Sequence, residues 1–264
     1  MSAENSQKSN IVDMSQHIYA REIDLNDENN SLVKVYNYIE PNTKVLDVGC
    51  TDGLLGRYLK KNKSCHVTGV DFNKDAIALA KKVLDRAEVL DVCSQDAFKD
   101  FKNENYDYII FADVLEHLAD PLPVLIEAKK LLSPTGNIII SVPNVAHGSI
   151  RLSILNGQFD YTEEGLLDRT HLRFFTYKSL MKFAGNAGLF PVEVERTYSG
   201  VSDYNRSVGE TIAFDENAVN EIECLPEATT LQFVVHLIPL KGEKHRELLN
   251  ARIRNLECLS LIHI

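Results

Sequence analysis

The chain has 264 residues, 44% of them hydrophobic, and a formal net charge of -10, enough for one sizeable core plus a small appendage. The acid excess, with no basic patch to offset it, argues against an extended nucleic-acid partner and for a small-molecule one. Five cysteines (Cys50, Cys65, Cys93, Cys224 and Cys258) without a C-x-x-C pair support neither a disulfide framework nor a zinc knuckle. They suit a cytoplasmic setting, and no apolar run reaches the roughly 18 residues of a membrane span.

Residues 1–28 are polar, lack the apolar core of a signal peptide, and read as a flexible segment in which Tyr19 and Arg21 could fold over a ligand as a lid. From about residue 43 to 143, strand and helix patterns alternate. "KVLDVG", "CHVTGVD", "AEVLDV", "YDYIIFA" and "NIIISVP" are short apolar runs without period-two alternation, the pattern of strands covered on both faces. Between them, "NKDAIALAKKVL" places Asn73 as an N-cap and apolar residues at 76, 77, 80, 83 and 84 on one helical face. "DPLPVLIEAKKLL" opens with Asp120 as N-cap and Pro121 at the first helical position, and "SPTG" at 133–136 closes it as a turn. A helix from Thr176 to Gly188 then precedes two strands, "FPVEVERT" and "LQFVVHLIP". The order predicts an α/β fold: a doubly wound, mostly parallel seven-stranded sheet with an antiparallel edge strand. One domain is expected over 29–240, with insertions at 145–175 and 198–228. A charged C-terminal helix or linker is expected over 241–264, although the final "CLSLIHI" abandons that pattern and is assigned no role.

The first strand runs into "VLDVGCTDGLLG", residues 45–56. A glycine turn between a strand and its helix brings backbone N–H groups to a ligand at the carboxyl edge of the sheet. A P-loop would need G-K-[ST], which is absent. The dinucleotide fingerprint would need glycines at 49, 51 and 54, where the chain has Thr51 and Leu54. What remains is Asp47-x-Gly49-x-x-x-Gly53, an acid ahead of the glycines. Thr51, being β-branched, is expected to keep a negative φ. Asp71 ends the second strand, where a carboxylate can accept two ribose hydroxyls, since Asn73 is free to cap the helix that follows.

This arrangement resembles motif I of the class I S-adenosylmethionine-dependent methyltransferases, a Rossmann-like family, and the resemblance extends over roughly residues 41–240. It implies S-adenosylmethionine as cofactor. Asp47 would face the cationic methionyl end directly or through water, Gly49, Cys50 and Gly53 would form the turn, and Asp71 would hold the ribose. In "SQDAF", Asp96 and the Ala97 N–H would read the adenine edge, with Phe72 and Phe98 as flanks to the base; Asp96 fits that role better than Asp91. "FADVLEHLADPLPVL" resembles the family's region after the fourth strand, with Asp113 at the cofactor.

Methyl transfer from a sulfonium needs positioning and management of the acceptor proton, because the leaving group is a neutral thioether. "DVLEH" places Asp113, Glu116 and His117 on one face if that segment opens a helical turn. The spacing is similar to the metal-binding E-x-x-E-H of ubiquinone-pathway O-methyltransferases and small-RNA 3′-end methyltransferases, so Mg2+ on Asp113, Glu116 and His117 is one reading. The other is that Glu116 and His117 line the acceptor cavity without metal. In "GLLDRTHLRFFT", His171 is a candidate base, and Arg169 and Arg173 are candidate acceptor contacts. Asn144 and Arg151 join them at the end of the fifth strand, while His147 reads as a surface loop residue. Residues 143–176 resemble a bacterial branch found beside glycosyltransferases of cell-surface polysaccharides. That implies O-methylation of a small-molecule or glycan-precursor hydroxyl, and a glycosyltransferase partner. The competing expectations are an adenosyl-binding module without turnover, an NAD-dependent oxidoreductase, and an RNA or quinone-precursor methyltransferase.

Overall fold

In the computed structural model the described residues are 22–208 and 215–240. The expected lid residues Tyr19 and Arg21, and the expected C-terminal helix, lie outside them.

All seven expected strands are present: Lys44–Val48 (β1), His66–Asp71 (β2), Arg86–Val89 (β3), Tyr106–Ala112 (β4), Leu132–Pro143 (β5), Leu189–Tyr198 (β6) and Thr230–Pro239 (β7). They form one sheet in the order β3-β2-β1-β4-β5-β7-β6. β1 to β5 pair in parallel, and β7 returns antiparallel between β5 and the edge strand β6. The "SPTG" turn is absorbed into the start of β5, where the register with β4 shifts between Tyr106 and Tyr108.

Neighbouring residues on one strand enter opposite cores, which is why the apolar runs are unbroken. Val45 packs with Val67, Ile110 and Ile139 on one face; Leu46 and Val48 pack with Phe111, Ile140 and Phe233 on the other. The first face is covered by Ser31–Tyr38 (α1), Leu54–Lys63 (α2) and Lys74–Ala80 (α3), and the second by Pro121–Lys129 (α4) and, after the helix Gly148–Leu155 (α5), by Tyr177–Asn186 (α6). Asn73 caps α3 by accepting from the Asp75 and Ala76 N–H groups, and Thr176 and Ser179 close a reciprocal capping box on α6. α3 ends sooner than the periodicity predicts, yet Leu84 beyond it still packs into the core.

The two insertions join each other. α5, the loop to α6, and the helix Val201–Ser207 (α7) share a satellite core of Ile150, Leu166, Leu167 and Tyr204, and the helix Glu216–Glu223 (α8) lies against α5 and α7. His147 is not the expected surface residue: it is fully buried at the junction. Its Nε2–H donates to the Ser199 carbonyl, its Nδ1 accepts from Ser149, and its ring lies 5.2 Å from that of Tyr204. Among the described residues, no helix is long and apolar enough to cross a membrane.

Candidate active site

The carboxyl ends of β1, β2 and β4 open on one cavity of about 840 Å³, lined among others by Gly49, Thr51, Asp71, Phe72, Asp91, Asp113, His117 and Thr170. Its floor is the glycine turn. Gly49 and Cys50 both donate to the Val70 carbonyl, which ties the turn to β2. Gly49 has φ +75°, and a Cβ there would lie 2.4 Å from Val114 Cγ2, so only glycine fits. Gly53, also at positive φ, starts α2 without a side-chain cap.

Thr51 overturns its expected conformation, with φ +48°. Its N–H donates to Asp71 Oδ2 at 3.0 Å, a charge-assisted bond that offsets a strain on the order of 1 to 3 kcal/mol. Asp71 also accepts from the Asn73 N–H at 2.8 Å. Each carboxylate oxygen retains a second lone pair toward the cavity. Asp47 is 2% exposed and lies beneath the turn rather than on the cavity wall. Burial, and then the charge of Asp71, push its carboxyl up to about 7. Cys50, assigned to the cofactor, has a side chain buried in the core with Leu54 and Val67, so the cavity does not receive it.

On the next wall the structure prefers Asp91 to Asp96. Leu90, Asp91, Val92 and Cys93 line the large cavity at the end of β3, whereas Asp96 and Ala97 line a separate hollow of about 270 Å³ against α4. Residues directly beyond a strand tip share its carboxyl edge; five residues further on, the chain has turned away. Phe72 is 78% exposed at the cavity, while Phe98 is buried in the main core.

The wall after β4 departs from the helical-turn expectation. Asp113 takes φ +53°, and only Leu115–His117 form a short 3-10 turn. Asp113 Oδ1 accepts from Ser141 Oγ and Gln232 Nε2, at 2.9 and 3.0 Å. Burial still raises its carboxyl above the usual range. Among the described residues, the group with metal-ligand proximity is Glu116, His117 and His171, whose ligand atoms all lie within 4.8 Å of one another. Asp113 is replaced in that set by His171, and a set in which two of three members are imidazoles is not the all-oxygen one that Mg2+ takes. The Leu172 and Arg173 N–H groups both donate to the Glu116 carbonyl, docking the long excursion on the turn after β4. The rings of His117 and His171 then meet edge to face at 4.8 Å. Glu116 is 1% exposed, and neither carboxyl oxygen has a hydrogen-bond partner among the described residues. Burial, with the Asp113 charge, raises its carboxyl well above the ordinary range. Burial lowers His171, and the His117 charge adds to this.

The expected acceptor contacts do not converge. Asn144 is fully buried, with Nδ2 donating to the Glu227 and Thr230 carbonyls and Oδ1 accepting from Ala146. Arg151 donates to the Ala146 and Pro226 carbonyls, Arg173 to the Ala119 carbonyl, and Arg169 pairs with Glu163. These groups brace loops, because irregular backbone leaves carbonyls that long cationic side chains can satisfy. The sequence reasoning missed Thr170, Ser141 and Gln232. Gln232 carries no local signal, since β7 reaches Asp113 only through the antiparallel return.

A sheet in this order, with acids at the tips of β1 and β2 above a glycine turn, defines the class I S-adenosylmethionine-dependent methyltransferase architecture. The match with known proteins agrees: the methyltransferase domain family covers residues 17–194, and the chain belongs to that family. The ubiquinone biosynthesis O-methyltransferase of Hydrogenovibrio crunogenus is 30% identical over 163 residues, 60% of this chain and 66% of the relative. The chain spans about half to two thirds of the length of the curated relatives it matches. A S-adenosylmethionine-dependent methyltransferase from Archaeoglobus fulgidus shares the fold, with TM-score 0.56, 19% identity, and 79% and 91% of the two chains covered. So does Haemonchus contortus phosphoethanolamine N-methyltransferase 2 in complex with S-adenosyl-L-methionine, with TM-score 0.51, 17% identity, and 81% and 52% covered.

Proposed function

We propose that the chain transfers the sulfonium methyl of S-adenosylmethionine to a hydroxyl of a small molecule. The observation that carries this is continuity: a single cavity joins the ribose-competent Asp71 and the glycine turn to His117 and Thr170 on the acceptor wall. Asp71 would accept the ribose hydroxyls, Asp91 and the backbone beyond it would meet the adenine, and Asp47 would act on the cationic methionyl end from beneath the turn, through water or through space. The acceptor oxygen attacks the methyl carbon as the carbon–sulfur bond breaks, and the electron pair goes to sulfur, leaving a neutral thioether.

The acceptor proton would pass to an imidazole. His117 lines the cavity, with Nδ1–H donating to Thr170 and Nε2 left as the basic atom. His171 stands behind it, its Nδ1–H donating to the Leu166 carbonyl. We take the acceptor to be of glycan-precursor type, with a glycosyltransferase as partner, on the resemblance of residues 143–176 alone, since Asn144, Arg151, Arg169 and Arg173 are occupied elsewhere. A screen of sugar and phenolic acceptors with isotopically labelled cofactor tests this. A methylated sugar supports the finer reading, a methylated phenol replaces it, and no product with any acceptor, despite cofactor binding, favours a binding module.

A further inference from the structure

A chain of hydrogen bonds runs from Asp168 through Thr170 to His117, and its protons can be counted. Asp168 Oδ1 lies 2.6 Å from Thr170 Oγ1 and 2.7 Å from the Thr170 N–H. Burial acts to raise the Asp168 carboxyl, but the two Thr170 bonds, with the charges of His171 and His117, outweigh it and hold the group below the ordinary carboxylate range. At neutral pH it is therefore a pure acceptor. The single hydroxyl proton of Thr170 is spent on Asp168, so Oγ1, 3.0 Å from His117 Nδ1, has only lone pairs to offer the ring. The Thr170 carbonyl, 3.3 Å from the same nitrogen, is also only an acceptor. Nδ1 thus keeps its proton, and the ring's lone pair is left on Nε2. Backbone bonds fix the loop independently: the His171 N–H donates to the Asp168 carbonyl, the Arg169 N–H to Thr162, and Leu172 and Arg173 dock on Glu116.

We propose that Asp168 and Thr170 are positioning residues for His117, locking its ring in the Nδ1–H tautomer with Nε2 as the basic atom at the cavity. An imidazole without such a partner favours the opposite tautomer, which carries no lone pair on Nε2. The tautomer stands on geometry alone; its use in catalysis rests on the methyl-transfer reading. In that reading the acceptor hydroxyl gives its proton to Nε2 as its oxygen takes the methyl, and the ring becomes an imidazolium. Nδ1 keeps its proton, no proton moves along the chain, and the charge of Asp168 favours the cation through two shortened bonds. A base oriented by a second group, itself held by a third, is the general logic of an activated imidazole.

The test reads the tautomer directly. Long-range 1H–15N correlation spectra of the full, tag-free chain, labelled at its eight histidines, are recorded at about pH 8.5, where an ordinary imidazole is neutral; His117→Ala identifies the signal. The parent is expected in the Nδ1–H form. Thr170→Val, nearly the same shape, shifts the ratio toward Nε2–H by roughly 2- to 10-fold, the worth of one net hydrogen bond, and Thr170→Ser restores it. Asp168→Ala shifts it the same way, because the freed hydroxyl proton turns to Nδ1. Thermal melting confirms that the variants are folded, and the two Thr170 variants decide the matter if Asp168→Ala is not. A parent in the Nε2–H form, or a ratio indifferent to these substitutions, overturns the proposal. Turnover of the sugar or phenol returned by the labelled-cofactor screen supplies a second readout. In Thr170→Val, kcat falls at least as far as the ratio shifts while KM holds, and the substitution has no further effect in the His117→Ala background. Additive losses there would mark a loop-shaping role and overturn the positioning one. The Nδ1–H form without methyl transfer to any acceptor removes the methyl-transfer reading alone, and methyl transfer with His117 in the Nε2–H form removes this one alone.

Discussion

Asp47→Asn offers the sharpest probe of the cofactor end, because structure ties its stability to its function with opposite signs. In the folded chain without ligand the Asp47 carboxyl is pushed from 3.8 to about 7, by burial first and by Asp71 second. Unfolded, it titrates near 3.9. Between these values the native state holds a proton that the unfolded state has released, so stability falls as pH rises through that window and stays low above it. Three units correspond to roughly 4 kcal/mol at most. Asn, nearly the same shape and never charged, escapes this cost. The variant without ligand is therefore expected to gain stability over the parent progressively from about pH 4 to 7, reaching about 2 to 4 kcal/mol. Urea denaturation at a series of pH values measures it. Binding moves the other way: the parent should bind S-adenosylmethionine more tightly as pH rises from about 5.5 to 7.5, by roughly tenfold or more, as the carboxylate forms. The variant should bind weakly and without that dependence. A stability gain equal at all pH values, or identical affinity profiles, would refute the placement of a charge-sensitive acid beneath the methionyl end.

Asp71→Ala should weaken S-adenosylmethionine binding by about 100-fold or more in calorimetry, since two bonds to a charged acceptor are worth about 1.5 to 3 kcal/mol each. It should also lower the denaturation midpoint, because the Thr51 and Asn73 N–H groups lose their acceptor; unchanged affinity removes the ribose assignment. His117→Ala and His171→Ala should each reduce turnover, up to roughly 10²- to 10⁴-fold for the group that takes the proton, with cofactor affinity intact, and undiminished rates would make them packing residues. Asn144→Ala should leave cofactor affinity unchanged yet destabilise the fold by about 2 to 4 kcal/mol, as two buried carbonyls and one N–H lose a partner; weakened acceptor binding at full stability would restore its sequence-based role.

The sheet was legible because its signal is local and repeated. Unbroken apolar runs such as Tyr106–Ala112 require covering on both faces, and the caps Asn73 and Thr176 lie beside the segments they start. The tips of β1 and β2 were legible as positions for the same reason: Asp47 is the penultimate residue of its strand and Asp71 the last. Legibility fell with distance from a strand end. Asp91, just beyond β3, lines the cavity, whereas Asp96, five residues further on, faces a separate hollow. The acceptor residues failed most, because a polar side chain in an irregular loop satisfies backbone carbonyls as readily as it meets a ligand, and only coordinates distinguish the two. Arg151, spent on the Ala146 and Pro226 carbonyls, and His147, buried under Ser199, show both sides of that ambiguity.

Four departures from local rules fall at the cavity. Thr51 and Asp113 occupy left-handed backbone that their residue types disfavour, and both line the cavity. Asp47 and Glu116 bury carboxyls at a cost in stability, one below the cavity floor and one behind its acceptor wall. A fold optimised only for stability would replace all four with residues suited to their surroundings. Each cost finds a use if the cavity takes a cationic adenosyl ligand on one side and a hydroxyl to be deprotonated on the other. Thr51, at positive φ, turns its N–H to Asp71. Asp113 reverses the chain so that the segment after β4 can return Glu116 and His117 toward the loop carrying His171. Asp47 sets a titratable carboxyl beneath the end where the cationic methionyl group is expected to arrive, and Glu116 sets another, raised well above the ordinary carboxylate range, behind the imidazoles of the opposite wall.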